Sequence, residues 1–150
     1  LTIGTRDGAN IEMAREAGEE NLFLFGMTAA EVEQSRPWYN PQWHYEAEAE
    51  TRAALDLISS GHFSPGEPGA FKPLVDLLLR DGDYYMILAD LRGYAETQER
   101  VGRLYQEPSE WFRTAVLNIA GAGIFSIDRT VNQYAEQVWG IASCAVDRET

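Results

Sequence analysis

The chain has 150 residues, 45% of them apolar, and a formal charge of -12 from 12 Lys and Arg against 24 Asp and Glu. That length supports one unit with its own core, for which scaling gives a folded surface of roughly 7,700 Å², about a third of what the extended chain exposes. The charge argues against nonspecific binding to nucleic acid or an anionic membrane, and the apolar share is too high for a disordered acidic tail.

Cys144 is the single cysteine, so no internal disulfide can form, and a reducing, intracellular setting fits best. No apolar run approaches the ~20 residues needed to span a bilayer. The start, LTIGTRDG, has neither the charged nor the apolar region of a signal peptide. It opens on Leu1 in a β-type run, and so reads as a piece of a longer sequence.

In chain order, Leu1 to Thr5 reads as the end of a strand entering a turn at Asp7-Gly8. Asn10 is expected to cap a helix from Ile11 to Ala17 that stops at Gly18. Asn21 to Phe25 reads as a buried strand, although so short an apolar run also suits a helix. Thr28 with Glu31 predicts a capping box and a helix ending before Arg36-Pro37. Pro37 to Tyr45 reads as an irregular packed loop, followed by an acidic helix from about Glu46 to Ile58 that ends at Ser60-Gly61. Lys72 to Arg80 reads as a helix and Asp81-Gly82 as a turn. Tyr84 to Ala89 reads as a third strand, with Asp90 capping a helix from Leu91 to about Gln106. This alternation predicts an α/β fold with a parallel sheet.

The last third reads as helical. Pro108 suits a first turn, and Trp111, Phe112, Ala115, Val116 and Ile119 form an apolar face that ends at Gly121 and Gly123. Ser126 is expected to cap a final helix, stopped by Gly140, with Ile127, Val131, Tyr134, Ala135 and Val138 at helical spacing. That stripe requires a cover.

The most suggestive local motif is GTRDGAN, Gly4 to Asn10, because a glycine turn from a strand into a helix offers backbone N–H groups to an anion. Turn and cap bonds by Asp7 and Asn10 are the plainer account. The motif has neither the GxGxxG nor the P-loop spacing, which weakens a nucleotide-dependent oxidoreductase. His44 and His62 lack partners at metal spacing, and no GxSxG elbow occurs. Glu46, Glu48 and Glu50 read as a solvated face. Arg100, Arg103, Arg113 and Arg129 read as ion-pair partners of nearby acids rather than a phosphate site. The Trp and Tyr positions fit packing before sugar stacking. The residues by themselves supply an α/β body without a complete active site.

A longer pattern carries more information. LTIGTRDGANIEM, AGEEN and FLFGM, then WYNP (Trp38 to Pro41), SSGHFSP (Ser59 to Pro65) and DYYMILAD (Asp83 to Asp90) follow one another in order. They continue through QERVGRLYQEPSEWFR (Gln98 to Arg113) and NIAGAGIFSIDRTVNQYAEQVWGI (Asn118 to Ile141). Together they resemble the C-terminal part of the α-glucan phosphorylases, which act on glycogen, starch or maltodextrin. The resemblance runs from Leu1 to Ile141 and leaves the tail from Ala142 to Thr150 unmatched.

The resemblance implies the later part of a Rossmann-like C-terminal domain of GT-B type, over residues 1–106. It further implies closing helices, 107–141, that pack back toward an N-terminal domain, and a tail, 142–150. It implies a cytoplasmic enzyme, usually a homodimer, that uses phosphate to release glucose 1-phosphate from α-1,4-glucan ends with the help of pyridoxal 5'-phosphate. The family's cofactor lysine lies in a glycine-rich segment before the position matching Leu1. The only lysine here, Lys72, sits in no such segment. No catalytic residue, direct cofactor ligand or metal ligand is therefore carried over, and the 150 residues alone are expected to be inactive. Gly4, Thr5, Asp7, Gly8 and Asn10, which would follow the cofactor segment, are the candidates for supporting it by position. The competing expectation is a stand-alone Rossmann-like binding or assembly module without catalysis.

Overall fold

The computed structural model describes residues 1–142 and Cys144. Two short strands set its frame, β1 (Ile3–Thr5) and β2 (Phe23–Phe25). They pair in parallel with Ile3 opposite Phe23 and Thr5 opposite Phe25, so both carboxyl ends lie side by side. Helix α1 (Gly8–Ala17) connects them and stops at Gly18, whose φ of 91° is the conformation that favours glycine. Parallel strands need such a crossover because a tight hairpin cannot reverse the chain twice.

The helix after β2, α2 (Ala29–Ser35), begins with the expected capping box. The Thr28 backbone N–H donates to Glu31 Oε2 at 2.8 Å, and the Glu31 N–H donates to Thr28 Oγ1 at 3.3 Å. The Thr28 N–H and hydroxyl hold the Glu31 carboxyl below its ordinary range. Thr28→Ala is expected to lower stability by about 1 kcal/mol in urea unfolding, the usual cost of losing an N-cap oxygen.

Four expectations need correction. Helix α1 begins at Gly8, so Asn10 lies inside it instead of capping it. The loop expected over Pro37 to Tyr45 is helical from Pro41: Asn40 Oδ1 accepts from the Gln42 N–H at 3.0 Å and starts α3 (Pro41–Ala47). The single acidic helix is broken at Glu48, which separates α3 from α4 (Ala49–Ser59). Finally, Tyr84 to Ala89 is not a strand. After α5 (Lys72–Leu79), Asp83 and Met86 take left-handed φ values of 44° and 55°, and a long helix α6 (Ile87–Tyr105) starts at once. The β-rich composition is overridden by Asp83, which takes up the first N–H groups of α6.

The main core is small. Leu55 of α4, Leu78 of α5 and Leu88 of α6 pack together, flanked by Tyr45, Ile58 and Leu79. A second contact sets α1 against α7 (Pro108–Gly121), where Asn118 Nδ2 donates to the Asn21 carbonyl at 2.7 Å. Past a 3₁₀ turn at Ala122–Phe125, the expected final helix is α8 (Ile127–Gln133) followed by a π-helical turn, Tyr134–Trp139, that ends at Gly140 with φ 61°. Ser126 precedes α8, but its side chain makes no capping bond.

The chain exposes 11068 Å², well above the scaling value, so less surface is buried than its length predicts. The excess is partly apolar: Ile127, Val131, Tyr134 and Val138 are all exposed, so among the described residues nothing covers the stripe expected to need it. Trp38, Trp43 and Trp139 are exposed as well, against the expectation that the aromatics are spent on packing. The fold is α-rich with a two-strand parallel sheet, an α/β arrangement.

Candidate functional site

The five residues singled out in GTRDGAN come together in one turn. Thr5 Oγ1 donates to Asp7 Oδ1 at 2.6 Å, and Asn10 Nδ2 donates to the Thr5 carbonyl at 3.0 Å. Gly4 makes room for this: a β-carbon there would stand 2.6 Å from Asn10 Nδ2. Gly8, with φ 50°, lets the chain turn from β1 into α1. The polar groups of the turn therefore hold one another.

Thr5 and Asp7 also border an open cleft of about 870 Å³. Phe25, Met27, the α2 residues Val32 and Glu33, Arg36 just after that helix, Tyr84, Tyr85, Asp90 and Tyr94 line it. The cleft opens at the carboxyl ends of both strands, where open parallel sheets place their ligands. Its tyrosines face outward: Tyr85 is 78% exposed, and Arg36 lies 4.8 Å from the centre of the Tyr84 ring.

Two acids organise the start of α6: Asp83, to which the sequence assigns no role, and Asp90, which departs from its expected one. Asp83, 1% exposed, accepts from the Tyr39 hydroxyl (2.7 Å) and the Leu88 N–H (2.8 Å) at Oδ2, and from the Ile87 N–H (3.0 Å) at Oδ1. Burial and this bond to Asp83 push the Tyr39 phenol well above its ordinary range. Asp90, expected to cap the helix, instead lies in its first turn and accepts from the Met27 N–H at 2.9 Å.

Burial, with the charges of Asp83, Asp7 and Glu31 added, raises the carboxyl of Asp90 against the lowering effect of the Met27 N–H. A raised carboxyl favours folding most below its unfolded value, and that contribution is lost as the pH climbs through the folded value. Asp90→Asn, which keeps an oxygen for Met27, is therefore expected to be at least as stable as the wild type at pH 7. In a pH series of thermal melts its advantage should vanish below about pH 4, the ordinary aspartate range.

The other candidates lie elsewhere. His44 Nδ1 is 2.9 Å from Glu48 Oε1, and the Thr51 hydroxyl donates to Glu48 Oε2 at 2.6 Å, so half-buried Glu48 braces the break between α3 and α4 instead of belonging to a solvated face. The His62 ring rests edge-on against Phe63. Arg103 and Arg113 pair with Glu99 (3.6 Å) and Glu110 (3.8 Å), as expected. Arg129 donates to the Ile124 carbonyl and Arg100 lies over the Phe23 ring, so these two depart from the expected ion pairing. Among the described residues no group of three His, Cys, Asp or Glu side chains is arranged to hold a metal ion, and no helix is long and apolar enough to cross a membrane.

A short parallel sheet with a polar turn and a cleft at its carboxyl edge defines an α/β arrangement. The family model for carbohydrate phosphorylases matches residues 1–141, and the chain belongs to that family. It is 49% identical over 142 residues to the muscle form of glycogen phosphorylase from Ovis aries, and 49% identical over the same length to the brain form from Rattus norvegicus. Each alignment covers 94% of this chain and 17% of the relative, so the chain spans about a sixth of the relatives' length. Glycogen phosphorylase from Synechocystis sp. is 46% identical over 150 residues, covering 99% of this chain and 18% of its own. That alignment reaches into the tail expected to be unmatched, whereas the family model stops at Ile141.

Proposed function

We propose that these residues are one segment of an α-glucan phosphorylase, which uses phosphate to release glucose 1-phosphate from the ends of α-1,4-glucans. The match of the family model to residues 1–141 carries this reading, and the cleft at the strand ends supports it. Residues 1–106 are the later part of a Rossmann-like C-terminal domain of GT-B type. Residues 107–141 are its closing helices, their exposed stripe turned toward an N-terminal domain of the same cytoplasmic, dimeric enzyme, and 142–150 are a tail.

Family membership brings pyridoxal 5'-phosphate into the question, and the residues present do not fit that group. Lys72 Nζ is bound to Asp76 at 2.5 Å, and Lys72 does not line the cleft. The cleft carries Asp7, Glu33 and Asp90 against one arginine, a set that repels a phosphate. The contribution of this segment is positional. The turn of Gly4, Thr5, Asp7, Gly8 and Asn10 fixes the mouth of the site, and the reacting groups lie on other parts of the polypeptide.

Expression of the longer polypeptide with maltodextrin and inorganic phosphate tests this reading. Glucose 1-phosphate is expected, as is a borohydride-fixed pyridoxyl lysine that maps outside these residues. Turnover by the 150 residues alone, or a pyridoxyl adduct on Lys72, would overturn it and favour an autonomous catalytic module.

A further inference from the structure

Asp90 belongs to α6, yet its carboxylate is spent on another element. Oδ1 accepts from the Met27 N–H at 2.9 Å across 63 residues of sequence. Gly26, just before, has φ 79°, and a β-carbon on it would stand 2.5 Å from Asp90 Oδ2. One turn along α6, a β-carbon on Gly93 would meet the Gly26 nitrogen at 3.6 Å. Gly26 thus leaves the room that the Asp90 side chain fills, and α6 lies against the end of β2 closely enough that a β-carbon on Gly93 would be in ordinary contact with it. The anchored loop leads directly into α2, and Glu33 of that helix and Arg36 just after it line the same cleft as Asp90 and Tyr94 of α6.

We propose that Asp90 is a positioning residue, a latch that ties the loop between β2 and α2 to α6 and so fixes how α2 and α6 are placed where both line the cleft. This rests on the reading of the cleft as part of the phosphorylase reaction site. The latch needs an acceptor oxygen and no charge, because the bond it makes is to a neutral backbone N–H. Asn at this position retains the latch and Ala abolishes it. Gly26→Ala breaks the same contact from the other side.

The test uses the full-length phosphorylase that contains these residues, with maltodextrin and inorganic phosphate as substrates. Asp90→Ala is expected to raise amide hydrogen exchange over residues 26–36 by about tenfold, while the exchange of α4 and α5 stays at the wild-type rate. It is expected to raise KM for one of the two substrates by about fivefold, with kcat within about twofold of wild type. Asp90→Asn should match the wild type in both measurements, and Gly26→Ala should match Asp90→Ala in exchange. Unchanged exchange in Asp90→Ala, equal loosening in Asp90→Asn, or raised exchange with unaltered KM would each overturn the proposal. If Asp90→Ala does not accumulate as folded protein, the comparison of Gly26→Ala with Asp90→Asn decides by the same criteria. An inactive wild type would count against the phosphorylase reading alone, because exchange still decides whether the latch exists.

Discussion

Asp83→Ala is expected to be the most damaging single substitution in the chain, costing about 3 kcal/mol in urea unfolding. The carboxylate satisfies the Ile87 and Leu88 N–H groups and the Tyr39 hydroxyl from a site that is 1% exposed. Removing it leaves buried donors without partners, which costs their desolvation and not merely the net value of the bonds. Alanine also tolerates φ 44° less well than aspartate does. Asp83→Asn keeps one acceptor but turns its NH2 toward at least one donor, so an intermediate loss of about 1.5 kcal/mol is expected. If Asp83→Ala unfolds at the wild-type urea concentration, the account of how α6 starts is wrong. The effect also reaches the cleft, because the same helix start carries Asp90.

The second large effect is expected at Gly121. At an unconstrained helical site, glycine to alanine gains stability by about 1 kcal/mol. Here a β-carbon would stand 2.7 Å from the Ala17 Cα and 2.8 Å from the Glu16 carbonyl oxygen. Both are backbone atoms, so no side chain can rotate away. Gly121→Ala is therefore expected to lose about 2 kcal/mol by forcing α1 and α7 apart, and Gly121→Val more. The bond from Asn118 to the Asn21 carbonyl lies at the same contact and should break with it, which would show as faster exchange of the neighbouring amides. A stabilised Gly121→Ala would refute the close approach.

Local chemistry made the first third of the chain legible. Gly18, the Thr28–Glu31 capping box and the strand before Gly26 announce themselves within a few residues, and the order strand, helix, strand, helix follows. Where two local signals compete, sequence is a poorer guide. The apolar run YYMILA reads as a strand, and a carboxylate three residues before Met86 starts a helix there instead. Gly121 shows a related limit: it reads as a helix stop, and α7 does end there, but that it also lets the backbone of α1 approach is not visible in the sequence. The turn at Gly4 to Asn10 was visible as a motif, but the bond from Met27 to Asp90 was not, because nothing local marks partners 63 residues apart. Family resemblance supplied the chemistry that those residues by themselves do not encode.

Among the described residues the sheet has two strands of three residues, and each pairs on one side alone. The outer margins of both therefore offer unpaired amides and carbonyls in fixed alternation, which is a template for any further extended segment. Such a pair forms a nucleation edge more than a finished layer. Prepared in isolation, these residues should recruit one another as concentration rises, and light scattering that grows with protein load would register it. Charged substitutions along those margins would be the means of keeping the polypeptide dispersed.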